Sequence, residues 1–141
     1  MWRGVVGTAG STLPEGSAMS NLRIMIVEDN GLLAALLAEL LTTMGHEVCA
    51  TETSATGAAA AAARQRPDLI LVDVGLSEGD GRSAMADIAR TRAVPHIYIT
   101  GGPLTAEGFP PGAVVLRKPF SERLLAQAIT RALTQAQAPQ I

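Results

Sequence analysis

The chain has 141 residues, of which 48% are apolar, so it is one domain of ordinary size able to bury its own core. Its formal charge is −2 and it carries no basic run or stripe, which argues against a nucleic-acid partner. A single cysteine, Cys49, excludes an internal disulfide and a cysteine-rich metal site. The longest apolar stretch, 32–44, is broken by Glu39 and is too short to cross a bilayer.

The first seven residues do not form a signal-peptide core, so a cytoplasmic protein with no membrane contact is the expectation. Residues 1–21 are rich in Gly, Ser and Thr, include Pro14 and show no periodicity; they read as a flexible lead-in, with Trp2 part of a loose tail. Met19 opens a stretch that looks like a natural start.

A regular alternation begins at Leu22. Residues 22–27 form a short apolar strand ending in Glu28 and Asp29. Leu32, Leu33, Leu36, Leu37, Leu40 and Leu41 then fall at the spacing of one helix face, and Gly45 stops that helix. A second strand is predicted over 47–51, with Cys49 a small buried apolar residue. An alanine-rich helix follows over 58–64, its composition set by propensity. Residues 69–72 are a continuous apolar strand that ends at Asp73. Residues 82–91 form a helix with Met85, Ile88 and Ala89 inward. A fourth strand covers 96–99, with Tyr98 in the core, and ends at Thr100. A fifth covers 114–116 and ends at Arg117, Lys118 and Pro119; Arg117 reads as exposed. Ser121 caps a last helix with Leu124, Leu125, Ala128, Ile129, Ala132 and Leu133 on one face. His46 and His96 read as ordinary strand-entry residues. Between Thr100 and Val114 lie four glycines and three prolines, which leave room for one helical turn around 104–108 at most.

Strands alternating with helices imply a parallel sheet covered on both faces, and the unbroken apolar strands agree. The division expected is a lead-in at 1–21, one folded domain at 22–136 and a short tail at 137–141. In such a sheet function collects at the carboxyl ends of the strands. There this sequence places Glu28, Asp29, Asp73, Thr100 and Lys118. Three converging carboxylates repel one another, and a divalent cation with hard oxygen ligands, Mg²⁺ above all, relieves that repulsion. A carboxylate beside a cation and a lysine can act as nucleophile toward a phosphoryl group, with Lys118 and Thr100 neutralising and binding its oxygens.

The runs Ile-Val-Glu-Asp-Asn, Leu-Ile-Leu-Val-Asp, Ile-Thr-Gly and Arg-Lys-Pro-Phe, in that order at strand ends, resemble the receiver domain of response regulators. The likeness covers about residues 22–136. It implies a doubly wound, five-stranded, flavodoxin-like α/β fold with a short or missing fourth helix. It implies that Asp73 accepts a phosphoryl group from a sensor histidine kinase or phosphotransfer protein. Asp29 and Asp73 would bind Mg²⁺, Glu28 would act through a metal-bound water, and the backbone carbonyl of Gly75 would be a further ligand. Thr100 and Lys118 would contact the phosphoryl oxygens, and the Lys118–Pro119 peptide is usually cis in this family. The chain would catalyse only its own phosphorylation and dephosphorylation. It would work as a monomer or weak dimer and act by binding a downstream protein or by draining phosphate. Residues 95–101 are also similar to a receiver subgroup whose fourth strand reads Pro-Phe-x-Phe-Ala-Thr-Gly and whose members pair with HWE-type sensor kinases.

Two positions depart from the common family pattern. Val115 stands where the fifth-strand aromatic of the usual switch would be, and Ser77 replaces the proline often found four residues after the acceptor. Any switch would then run through the glycine-rich segment after Thr100. The competing reading is a phosphorylation-independent binding module with the same fold. A flavin-binding or two-aspartate phosphatase reading fits poorly. Glu28 and Asp29 would repel a phosphate at the first strand, and Gly75 stands where the phosphatase's second aspartate belongs.

Overall fold

A computed structural model describes residues 21–102 and 108–136. The proposed lead-in, the start at Met19, the tail at 137–141 and most of the possible turn at 104–108 lie outside the described residues. The described chain alternates β1 (Arg23–Val27), α1 (Gly31–Thr43), β2 (Glu47–Glu52), α2 (Ala55–Gln65), β3 (Leu69–Asp73), α3 (Gly81–Ala89), β4 (His96–Thr100), β5 (Val115–Arg117) and α4 (Glu122–Ala136). The five strands form one parallel sheet in the order β2-β1-β3-β4-β5. Four helices cover it, and among the described residues none lies between β4 and β5. None is long and apolar enough to cross a membrane.

The two-residue period of each strand sorts its side chains into two cores. Ile24, Ile26, Leu69, Leu71, Ile97 and Ile99 pack with α1 and α4. Met25, Val27, Ile70, Val72 and Tyr98 pack with α2 and α3. The central strand β3 is buried along its whole length. Its neighbours on both sides and the helices on both faces remove every route to water, which is why it carries no polar residue before Asp73.

Local capping fixes the helix starts, and here several expectations shift. Ser54 accepts a hydrogen bond from the Gly57 amide and starts α2 three residues before the alanine tract. Arg66 closes that helix in the left-handed region at φ 47°. Asp80 caps α3 one residue earlier than predicted, and the helix ends at Ala89. Ala84, Met85 and Ile88 point inward, whereas Ala89 is exposed. β5 runs one residue later than predicted. On α1, Leu37 and Leu41 are buried but Leu32 and Leu36 are 73% and 54% exposed, and Leu124 of α4 is 48% exposed. A helix against a flat sheet buries a narrow stripe, and these leucines lie just off it. Gly45, at φ 97°, does follow the end of α1, Ser121 does cap α4, and His46 is buried with its Nδ1 accepting the Leu22 amide.

α3 starts almost in contact with the end of β3. A Cβ on Gly81 would lie 2.3 Å from the carbonyl oxygen of Asp73 and 2.9 Å from Val72 Cγ2. Gly81→Ala is therefore expected to displace α3 and to lower stability by about 1–3 kcal/mol, the usual range for overpacking. Urea unfolding measures this as a fall in midpoint.

Candidate functional site

Register brings the predicted residues to one edge. Val27 is paired with Val72, Asp73 with Ile99, and Thr100 with Arg117. The next residue along each strand leaves the sheet at about the same level, so Glu28, Asp73, Thr100 and Lys118 meet although they come from four strands. Glu28, Asp73 and Thr100 are buried. Asp29 follows on the more open β1–α1 turn. One carboxylate oxygen from each of Glu28, Asp29 and Asp73 lies within 4.8 Å of the others.

Each acid is held through specific atoms. Asp73 Oδ1 accepts the Gly75 amide at 2.8 Å, and Oδ2 accepts Lys118 Nζ at 3.0 Å. Lys118 Nζ also stands 3.7 Å from Glu28 Oε1. Glu28 Oε2 accepts the Asn30 amide at 3.1 Å, and Asn30 itself caps α1. Asp29 Oδ2 accepts both the Ser77 amide, at 2.7 Å, and the Ser77 hydroxyl. Thr100 Oγ1 accepts the Gly102 amide at 3.0 Å. The Lys118 amide donates to the Thr100 carbonyl at 2.8 Å, and the Lys118–Pro119 peptide is cis. Gly75 lies exposed in the turn just after Asp73.

The electrostatics show an excess of negative charge. Burial, reinforced by the neighbouring Asp73, raises the Glu28 carboxyl from its ordinary 4.5 to about 7, against the pull of the Asn30 amide and Lys118. Glu28 Oε1 is buried and accepts no hydrogen bond from the described residues. Burial also works against the charge on Lys118, but its bond to Asp73 and the charges of Asp73 and Glu28 outweigh that and raise it above the ordinary lysine value. One lysine faces three carboxylates. An orphaned buried oxygen within an all-carboxylate donor set fits a hard divalent cation.

Two neighbouring features were not visible in the sequence. The first is a groove of about 450 Å³ beside the lysine, lined by Leu33, Leu36, Leu37, Leu40, Pro119 and Phe120. Its only signal was a surplus of leucines on α1. The second is a bridge from the β3–α3 turn to the segment before β5. Arg82 pairs with Asp80 through Nε at 3.1 Å and Nη2 at 2.9 Å, and its Nη1 donates to the Gly108 carbonyl at 3.3 Å. Its guanidinium lies 5.3 Å from the centre of the Phe109 ring, which packs on Tyr98 at 5.1 Å. Val115 is half-buried in the same cluster.

A model of the response regulator receiver domain matches residues 24–130. The chain belongs to that family. Receiver domains are the signalling modules of two-component systems. The chain is 36% identical over 136 residues to the phyllosphere-induced regulator PhyR of Methylorubrum extorquens, covering 93% of this chain and 49% of that protein. It is 32% identical over 117 residues to the transcriptional regulatory protein PdtaR of Mycobacterium tuberculosis, covering 80% of this chain and 57% of that one. The chain thus spans about half the length of these relatives. The solved receiver domain of Erythrobacter litoralis PhyR superposes with a TM-score of 0.76 at 32% identity, covering 89% of this chain and 99% of that one.

The raised Glu28 carboxyl has a definite sign in stability. Between pH 4.5 and 7 the folded receiver binds this proton and the unfolded chain does not, so stability falls as pH rises through 7 and then levels. His46, lowered by burial, acts in the opposite sense below its ordinary value. The Glu28 contribution is therefore read as the difference between wild type and Glu28→Gln in metal-free buffer. Denaturation at a series of pH values should show the wild type losing stability relative to the variant, at no more than about 1.4 kcal/mol per pH unit.

Proposed function

We propose that this receiver domain accepts a phosphoryl group on Asp73 from a phosphohistidine of a sensor histidine kinase or phosphotransfer protein. The observation that supports this reading most directly is the meeting of Asp73 with Lys118, Thr100 and two further acids at one edge of the sheet. An Asp73 carboxylate oxygen attacks phosphorus. The new O–P bond forms as the P–N bond of the phosphohistidine breaks, and the imidazole leaves with the bonding pair. Lys118 sits where it holds Asp73 in place and meets the charge that develops on the transferred oxygens. The Thr100 hydroxyl, at the same edge, can donate to the same oxygens. Gly75, donating to Asp73 Oδ1, orients the nucleophile for attack. Glu28, Asp29, Asp73 and the Gly75 carbonyl are the groups that would hold Mg²⁺, which when bound supplies positive charge to both the acids and the phosphoryl oxygens.

The groove beside Lys118 gives the donor protein an apolar seat next to the acceptor. Output then passes by protein–protein contact or by drawing phosphate from the donor. Arg82 supports the first route, because it ties the turn that follows Asp73 to Gly108 and Phe109 on the β4–β5 side. Val115 favours a second reading, a binding module that works without phosphorylation, since no aromatic at that position can follow Thr100.

Incubation with acetyl phosphate and Mg²⁺, followed by intact mass measurement, separates the two. One added phosphoryl group is expected on the wild type and none on Asp73→Asn. Lys118→Ala should slow labelling by about a hundredfold or more, the usual loss when a donor to developing charge is removed. Labelling that survives Asp73→Asn would remove Asp73 from its role, and an unlabelled wild type would favour the binding module.

A further inference from the structure

We infer that Ser77 is a positioning residue for cation binding, holding the Asp29 carboxylate in place from the opposite side of the site. The inference rests on reading the acid cluster as a Mg²⁺ site. Glu28 and Asp73 are oriented by backbone amides two residues along their own turns, those of Asn30 and Gly75. Asp29 is held chiefly from another turn. Its partner is 48 residues away, in the turn after β3, and it donates twice, through its amide and its hydroxyl.

Both donors fall on the same oxygen, Oδ2. The consequence differs between the acids. Glu28 and Asp73 are buried and have little room to turn, whereas Asp29 sits in an open turn where an unheld side chain samples several rotamers. Fixing it in advance removes an ordering cost that the cation would otherwise meet. Ser77 further ties the end of β1 to the turn that contains Gly75, so the two sides of the site keep one spacing. A proline at position 77 would supply neither donor, since it has no N–H and no hydroxyl.

The test is binding of Mg²⁺ alone, without any phosphoryl compound, followed through the amide resonances of Gly75 and Lys118 at constant ionic strength. Ser77→Ala keeps the amide but loses the hydroxyl, and its dissociation constant for Mg²⁺ should rise about tenfold, as when a partner that orients a metal ligand is removed. Ser77→Thr keeps a hydroxyl and should restore the affinity. Ser77→Ala binding as tightly as wild type, or more tightly, would overturn the positioning role while leaving the cation site in place. A wild type whose resonances do not respond to Mg²⁺ would overturn both.

Discussion

Three carboxylates gathered at the carboxyl edge of the sheet, two of them against one lysine, are the constraint on which the rest of the structure turns. Like charges this close in a partly buried place are unfavourable. The fold nevertheless forces them together, because Glu28 and Asp73 leave adjacent strands at the same level. The cost shows in Glu28, whose carboxyl is raised to about 7 and whose Oε1 accepts no hydrogen bond from the described residues. A site of this kind is poised for a positive ligand.

The scaffold keeps that tension from being relieved by movement. β3 is buried throughout, so Asp73 stands at the end of a rigid rod. Gly81 lets α3 begin against its carbonyl, closer than any side chain would allow. Lys118 reaches across from β5, anchored by the bond from its own amide to Thr100. On the far side of the turn, Arg82 runs to Phe109 and Tyr98, so the segment entering β5 is tied to the residues that follow Asp73. That connection lies beside Val115.

Much of this was legible in the sequence, for a physical reason. Short apolar strands each ended in a polar residue, and a parallel sheet brings all such ends to one edge, so Glu28, Asp29, Asp73, Thr100 and Lys118 could be grouped before any coordinates. Amphipathic faces were less well defined. Six leucines on α1 satisfied one stripe by spacing, but a helix on a sheet buries only part of it, and Leu32 and Leu36 stay exposed. Helix starts followed caps such as Ser54 and Asp80 rather than the apolar pattern. Contacts with no periodicity left no trace: Ser77 was visible as a missing proline, not as the partner of Asp29, and nothing in the order of residues joined Arg82 to Phe109.

The central claim, that the carboxylate cluster is strained without a cation and relaxed with one, is tested most directly by thermal unfolding with and without Mg²⁺ at matched ionic strength. Millimolar Mg²⁺ is expected to raise the wild-type midpoint by several degrees, roughly 3–6 °C for a ligand-linked gain of about 1 kcal/mol in a domain of this size. Asp29→Asn is expected to lose most of that rise. A midpoint that Mg²⁺ leaves unmoved in the wild type, or raises equally in the variant, would contradict it.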